Sequence, residues 1–435
     1  MTPGESLEGV LLPAGTVAEV DPAAEPPGTV AVSLPELPGD IEVSEAVETE
    51  PVDVPLTARL EPGVAVLRVY RDALGDRFKV AGDCPELPLP DTVSARQGRP
   101  DVGLGALVVG GTGEHPVDVC ARLHTWSESK TELVAWVNRL RLRFGDSFRL
   151  VIADQTGWEI PWELLRLPPD RTGELPAGWL GGIVPVSRRL TVEPDAPDKH
   201  THGAHTCAGE TVAFVDTDMT ADGEALARYG AHQLPDIHDL LDILEDGSRQ
   251  FGLIYLGCHG DFDPASGTAF RLAGRPHSDN GLVRTGVSVF ELRRSTLAAV
   301  ASGRPLVILN ACHSARSVLD ERNNDGTSHG FVRVFLEAGA AGVVGTVGMV
   351  GLHDARRVAE DLLRRLEQPG ASIATALRDV RAVLAAREDA LSHRQRRTDA
   401  GRDTVLSFLY GFMYVYFGHP DTDVRLSTVE PAGPG

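Results

Sequence analysis

The chain is poor in lysine, in cysteine and in long apolar runs. Its 435 residues hold three lysines, Lys79, Lys130 and Lys199, and before Arg59 there is neither lysine nor arginine. Lys and Arg together number 41 against 62 Asp and Glu, a formal net charge of -21. Such a charge repels a polyphosphate backbone, so direct nucleic-acid binding is not expected. No apolar run approaches the roughly 20 residues that a membrane-spanning helix needs. The opening MTPGESLEGVLLPAG has no positive region ahead of its apolar stretch, so neither a secretory signal nor a membrane partner is expected and the protein is placed in the cytoplasm. Five scattered cysteines without CxxC spacing (Cys84, Cys120, Cys207, Cys258 and Cys312) give neither a disulfide framework nor a zinc ribbon, and reduced thiols are expected. No GxSxG occurs, which removes the usual serine-hydrolase elbow. VVGGTGEHP at 108–116 lacks a full GxGxxG or GKT/S and is read as a glycine-rich turn. His200, His202, His205 and Cys207 have zinc-ligand chemistry, but they fall in a polar, turn-rich break. No metal and no cofactor are expected.

What is present is a globular composition, 42% hydrophobic and 24% charged, long enough for two or three domains. Residues 1–102 are acidic and proline-rich, with short alternating pieces (TVAVSL, VPLTARL, VAVLRVY) that predict a small, mostly β N-terminal module, an acidic docking surface or a solvated extension. From Gly103 apolar strands alternate with amphipathic helices, the pattern of a largely parallel sheet covered on both faces. LGALVVGG and FRLVIAD read as strands. Between them a helix carries Leu133, Trp136, Val137 and Leu140 behind a Ser127 or Ser129 cap. Trp158 and Trp162, around the PWELL stretch, read as core anchors. The break at 194–209 separates this upstream α/β part, 103–195, from a second α/β unit, 205–420, with a tail at 421–435. The second unit's strands are predicted at 211–215, 253–257, 306–310, 341–347 and 412–418, with helices at 235–246, 354–366 and 371–387 between them.

Two of those strands end on reactive side chains, where open α/β sheets place their sites. LIYLGCHGDF delivers His259 followed by Gly260, and LVILNACHSA delivers Cys312 on a turn of small residues. A thiol is only partly ionised at neutral pH, so a nucleophilic cysteine needs an imidazole to draw off its proton and later protonate the leaving amine. His259 is the candidate base and Cys312 the candidate nucleophile. The backbone amides of Gly260 and Cys312 are the candidate oxyanion donors. The pairing predicts peptide-bond hydrolysis.

GCHG at 257–260, NAC at 310–312, PWELL at 161–165 and GFVRVFLEAGAAGVVGTV at 330–347 together resemble the CHAT-domain, caspase-like cysteine peptidases of clan CD, over roughly residues 103–420. The resemblance implies a caspase-like αβα sandwich with a mostly parallel sheet, a Cys312–His259 dyad, and a protein substrate entering as an extended strand. It also implies an activating protein partner and a role as a regulated effector in prokaryotic defence (antiviral defence) or programmed cell death. In similar metacaspase segments an acid stands two places before the cysteine and favours a basic residue before the scissile bond. Here that position is Asn310. The separase acid after the fifth strand aligns with Met349. Unless Asp261, Asp263 or Asp354 enters the pocket, the preferred residue is neutral or apolar. The 317–330 loop is expected to order on activation, and 385–404 to be a solvent-exposed connector. Two other readings stay open: a catalytically silent adaptor or binding module, and a thiol-dependent acyltransferase or amidase.

Overall fold

The computed structural model describes residues 60–71, 77–89, 98, 100, 102, 115–158, 160–170, 173–190, 204–262, 270–273, 286–319 and 328–428. The chain divides into two units, Met1–Asp53 and Val54–Gly435. The first lies outside the described residues, as do the expected TVAVSL and LGALVVGG strands.

Ten strands of the second unit form one sheet. In chain order they are β1 (Val64–Arg71), β2 (Phe78–Asp83), β3 (Arg149–Asp154), β4 (Val186–Arg189), β5 (Glu210–Val215), β6 (His232–Leu234), β7 (Phe251–Gly257), β8 (Leu306–Asn310), β9 (Gly342–Thr346) and β10 (Tyr414–Gly418). Across the sheet the order is β2-β1-β3-β4-β10-β9-β8-β7-β5-β6. The neighbours β9, β8, β7, β5 and β6 pair in parallel, as do β1, β3 and β4. The ladders between β1 and β2 and between β9 and β10 are antiparallel. This is a mixed α/β fold on a large, mostly parallel sheet.

The apolar runs are continuous because the strands are buried on both faces. Along β7, Ile254 and Leu256 join one core, and Leu253 and Tyr255 the other; along β8, Val307 and Leu309 alternate in the same way with Leu306 and Ile308. The second face is covered by α6 (Leu352–Leu366) and α7 (Ile373–Asp389), here numbered after α1 (Pro116–Glu128), α2 (Thr131–Phe144), α3 (Thr220–Ala227), α4 (Ile237–Glu245) and α5 (Phe331–Glu337), and followed by α8 (Asp399–Met413). Leu362, Leu363, Leu366, Leu377 and Val380 supply that cover. Among the described residues no helix is long and apolar enough to cross a membrane.

Three expectations are corrected. Residues 1–102 do not form one module, because β1 and β2 extend the main sheet and bury Val66, Val69, Phe78 and Val80 in it. The boundary between 195 and 205 does not separate two sheets, since β4 lies beside β10. The tail at 421–435 begins with Asp423–Val424, which pairs with Thr206–Cys207. The 385–404 segment is exposed over most of its length, as expected, and is also mostly helical: α7 runs to Asp389 and α8 starts at Asp399, with Gln395–Arg397 forming one turn between them. The serine cap is also absent. Helix α2 begins after Lys130 without a side-chain cap, Ser129 bonds back to the Trp126 carbonyl, and Ser127 bonds back to the Leu123 carbonyl while accepting from the Arg166 amide.

The upstream and downstream parts are locked by a buried charge cluster. Glu163 of PWELL accepts from Arg188 Nε at 2.9 Å and Nη2 at 2.5 Å, and Arg188 Nη2 also donates to the Ile160 carbonyl at 3.0 Å. Arg381 on α7 reaches the Tyr414 carbonyl from the same cluster. A Cβ at Gly181 would lie 2.8 Å from Glu163 Cβ, so a larger residue there would force the cluster apart. Burial alone would raise the Glu163 carboxyl, but the Arg188 charge and hydrogen bonds outweigh it and hold the group below its ordinary 4.5. A carboxyl held low contributes stability above its unfolded pKa that is lost as pH falls through the folded one. Glu163→Gln is expected to lower unfolding stability by about 3 kcal/mol at neutral pH, by removing the carboxylate charge that balances the buried Arg188 guanidinium. Urea denaturation should show the gap between wild type and variant shrinking below the ordinary glutamate range.

Candidate active site

Parallel pairing fixes where the strand ends fall. Gly257 at the end of β7 lies opposite Asn310 at the end of β8. His259 and Cys312 each stand two residues beyond these paired strand ends. The main chains stay linked beyond the strands: the Cys258 amide donates to the Asn310 carbonyl at 3.3 Å, and the Asp216 amide after β5 donates to the Gly257 carbonyl at 2.8 Å. Gly260 then packs against the main chain of Cys312. A Cβ on Gly260 would stand 1.9 Å from the Cys312 carbonyl oxygen and 3.1 Å from its nitrogen, so this approach requires glycine.

The turn carrying Cys312 is braced from β9. Thr346 Oγ1 donates to the Ala311 carbonyl at 2.6 Å, the Thr346 amide donates to Ser314 Oγ at 3.0 Å, and the His313 amide donates to the Gly348 carbonyl at 3.0 Å. His313 has φ 59, a left-handed conformation that is costly for a side chain of its size. Its ring packs on Phe262, with centroids 5.8 Å apart, and Arg316 lies over that same Phe262. Burial and the Arg316 charge push the His313 imidazole down to about 4, so it is neutral at pH 7.

Among the described residues the imidazole of His259 and the thiol of Cys312 bond to different neighbours. His259 Nε2 lies 3.3 Å from Asp218 Oδ2. Cys312 Sγ accepts from the Val350 amide at 3.4 Å and donates to the Val350 carbonyl at 3.8 Å. Burial raises the thiol above its ordinary range, and the Val350 and Cys312 amides only partly offset this. The thiol is half-buried and the imidazole is about a third exposed.

Beneath the pair lies a buried polar network. Asn310 Nδ2 donates to Asp222 Oδ2 and to Tyr255 Oη, both at 2.8 Å, while its Oδ1 accepts from Tyr414 Oη at 2.5 Å. Tyr255 Oη in turn donates to Asp222 Oδ2 at 2.6 Å. Burial raises the Asp222 carboxyl, against the two hydrogen bonds that favour its anion. Asn310 is 1% exposed and bonded through both ends of its amide, so the expectation that it lines an open pocket is corrected: it is a floor strut. Asp354 is likewise engaged, accepting from Arg357 and Ser407 in the first turn of α6, so the expectation of a free pocket acid is corrected there too. Asp261 is exposed on the short strand Gly260–Phe262. Met349 is 39% exposed beside Val350, and Leu352, 48% exposed, continues that apolar rim. Asp263 and most of the 317–330 loop lie outside the described residues.

Three residues near the site have no sequence motif of their own: Asp218, Asp222 and Tyr410, the last a buried hydroxyl within electrostatic reach of Cys312 and Asp354. Only Asp218 left a trace, as an acid shortly beyond an apolar strand. Of the proposed metal-like set, Cys207 is buried in a short strand with its thiol pushed up to about 12, and His200 and His202 lie outside the described residues. Among the described residues there is no group of three or more His, Cys, Asp or Glu able to hold a metal ion.

Residues 217–399 match the family model of the CHAT domain, and His259 and Cys312 both fall within the matched segment. Solved structures similar in shape include a chain of the Saccharomyces cerevisiae separase-securin complex, with TM-score 0.43, 11% identity, and coverage of 83% of this chain and 30% of that one. They also include a chain of the complex of Porphyromonas gingivalis RgpB pro- and mature domains, with TM-score 0.42, 11% identity, and coverage of 68% of this chain and 70% of that one. This chain thus spans less than a third of the first of these. No curated protein matches the sequence.

The contact at Gly260 yields a direct test. Gly260→Ala must displace either the Cys312 carbonyl or the 260–262 strand, which is expected to cost about 1–3 kcal/mol. Urea denaturation should detect that loss, and alkylation of Cys312 should slow relative to wild type.

Proposed function

We propose that this chain is a cysteine endopeptidase that cleaves a partner protein, with Cys312 as nucleophile and His259 as general base and acid. The observation that supports it is the close packing of Gly260 on the Cys312 main chain just beyond the paired ends Gly257 and Asn310, within a segment that matches the CHAT domain. His259 takes the Sγ proton, and the thiolate attacks the scissile carbonyl carbon. The oxygen becomes anionic within reach of the Gly260 and Cys312 amides. The C–N bond breaks, the leaving amine takes the proton from the imidazolium, and a thioester remains. Water, deprotonated by His259, then releases the acid and returns the thiol.

In the resting site the thiol bonds to the Val350 main chain, so productive attack requires the sulfur to leave Val350 for His259. That step suits control by an activating protein partner. Asn310 and Asp354 are consumed by internal bonds, whereas Met349 and Leu352 stand exposed beside the thiol-holding Val350. The preferred residue near the scissile bond is therefore apolar. A role as a cytoplasmic effector in prokaryotic defence or programmed cell death follows from the family resemblance alone. The thiol's bonds to Val350 also favour a second reading, a binding module whose dyad never engages.

Incubation with proteins encoded beside this chain, followed by mass spectrometry of products, decides between them. Cys312→Ala and His259→Ala are each expected to lower cleavage by about a thousandfold or more. Cleavage indifferent to Cys312→Ala would sink the peptidase reading. A peptide-library profile dominated by Arg or Lys would overturn the apolar preference, and Met349→Asp should weaken cleavage chiefly through KM.

A further inference from the structure

We infer that Asp218 is a positioning residue for His259, completing a line of acid, imidazole and thiol drawn from three adjacent strand ends. This rests on the reading of His259 and Cys312 as base and nucleophile. Strands β5, β7 and β8 are consecutive in the sheet and parallel. Asp218 follows β5, His259 follows β7 and Cys312 follows β8, so the sheet order itself sets the three groups in sequence. Main-chain bonds past the strand ends, Asp216 to Gly257 and Cys258 to Asn310, hold the three ends as one unit. The turn bearing Asp218 is fixed by Asp216, whose Oδ1 accepts from the Asp218 amide at 3.5 Å and from Thr217 Oγ1 at 3.2 Å.

The chemistry follows from which nitrogen is taken. Asp218 Oδ2 lies 3.3 Å from Nε2, and a carboxylate there accepts the Nε2 proton. The neutral ring then keeps its lone pair on Nδ1, the nitrogen left to receive the thiol proton. Once Nδ1 is protonated, the imidazolium lies against the Asp218 charge, which stabilises the ion pair of thiolate and imidazolium over the neutral pair. The pair is 31% and 46% exposed, so its contribution to folding stability is small and its effect falls on the orientation and tautomer of the His259 ring. The other titratable groups near this line are Asp216, whose charge reaches Cys258; Asp261, whose charge reaches His313; and Tyr410 and Tyr414, on which the Cys312 charge acts. Of these and Asp218, only Asp218 is in hydrogen-bond contact with the His259 ring.

The test uses the full chain and needs no substrate. Histidine labelled with carbon-13 is read by NMR for its tautomer, with the His259 signal identified through His259→Gln, and iodoacetamide alkylation of the Cys312 peptide is followed by mass spectrometry across pH. In Asp218→Asn, the His259 ring is expected to lose its preference for the proton on Nε2. Alkylation at pH 7 should slow about three- to tenfold, because less thiolate is held by the imidazolium. Asp218→Glu should restore most of both. Thermal unfolding close to wild type confirms that the variant is folded; were Asp218→Asn to unfold, the Asp218→Ser variant takes its place with the same expectation. An unchanged His259 tautomer overturns the assignment of Asp218 and leaves the dyad standing, as does a changed tautomer with an unchanged alkylation profile. Alkylation indifferent to His259→Gln overturns the dyad reading itself, and Asp218 with it.

Discussion

The site depends on the approach of one main chain to another at the ends of β7 and β8. With no side chain at Gly260, the backbone after His259 lies against the Cys312 carbonyl, and the parallel register sets the two strand ends side by side. Everything chemical is stacked on that approach. The polar floor of Asp222, Tyr255, Asn310 and Tyr414 fills the space beneath it with satisfied hydrogen bonds, which keep a buried polar layer from becoming a liability. The turn after Cys312 is tied to β9 through Thr346, Ser314 and Gly348, so strain at His313 is held by three separate hydrogen bonds.

Rigidity below the thiol contrasts with the position of the thiol itself. Its sulfur is caught between the amide and carbonyl of Val350, and burial disfavours its anion. A thiol held in this way is shielded from adventitious chemistry. The exposed Met349 and Leu352 belong to that same stretch, so the residues that would feel an apolar substrate side chain are joined through the backbone to the residue that holds the sulfur.

Much of this was legible in the sequence. Strands buried on both faces announce themselves as unbroken apolar runs, and LIYLG and LVILN fall where they were expected, with His259 and Cys312 just past them. What was not legible depends on partners distant in the chain. β1 and β2 carry an alternating pattern that fits a free-standing β module as well as a sheet edge, and only their pairing with β3 distinguishes the two. Asn310 was misread because its residue type says nothing of the two tyrosines and the aspartate that consume its amide. The serines near α2 were misread because Ser127 and Ser129 satisfy carbonyls of the preceding helix, leaving α2 uncapped. The segment at 385–404 is rich in charge yet helical, since α8 buries Val405, Phe408, Leu409 and Phe412 on its inner side.

The seat of β10 between β4 and β9 bears on how this protein can be dissected. A fragment trimmed to start near 205 would lose β4 and strip Tyr414–Gly418 of one neighbour, baring an aromatic ribbon able to zip onto another copy. It would also strand Arg381 without Glu163. The minimal autonomous piece for expression therefore begins ahead of Val64, and failures of shorter fragments to stay in solution would report on the missing edge, not on the chemistry of the thiol.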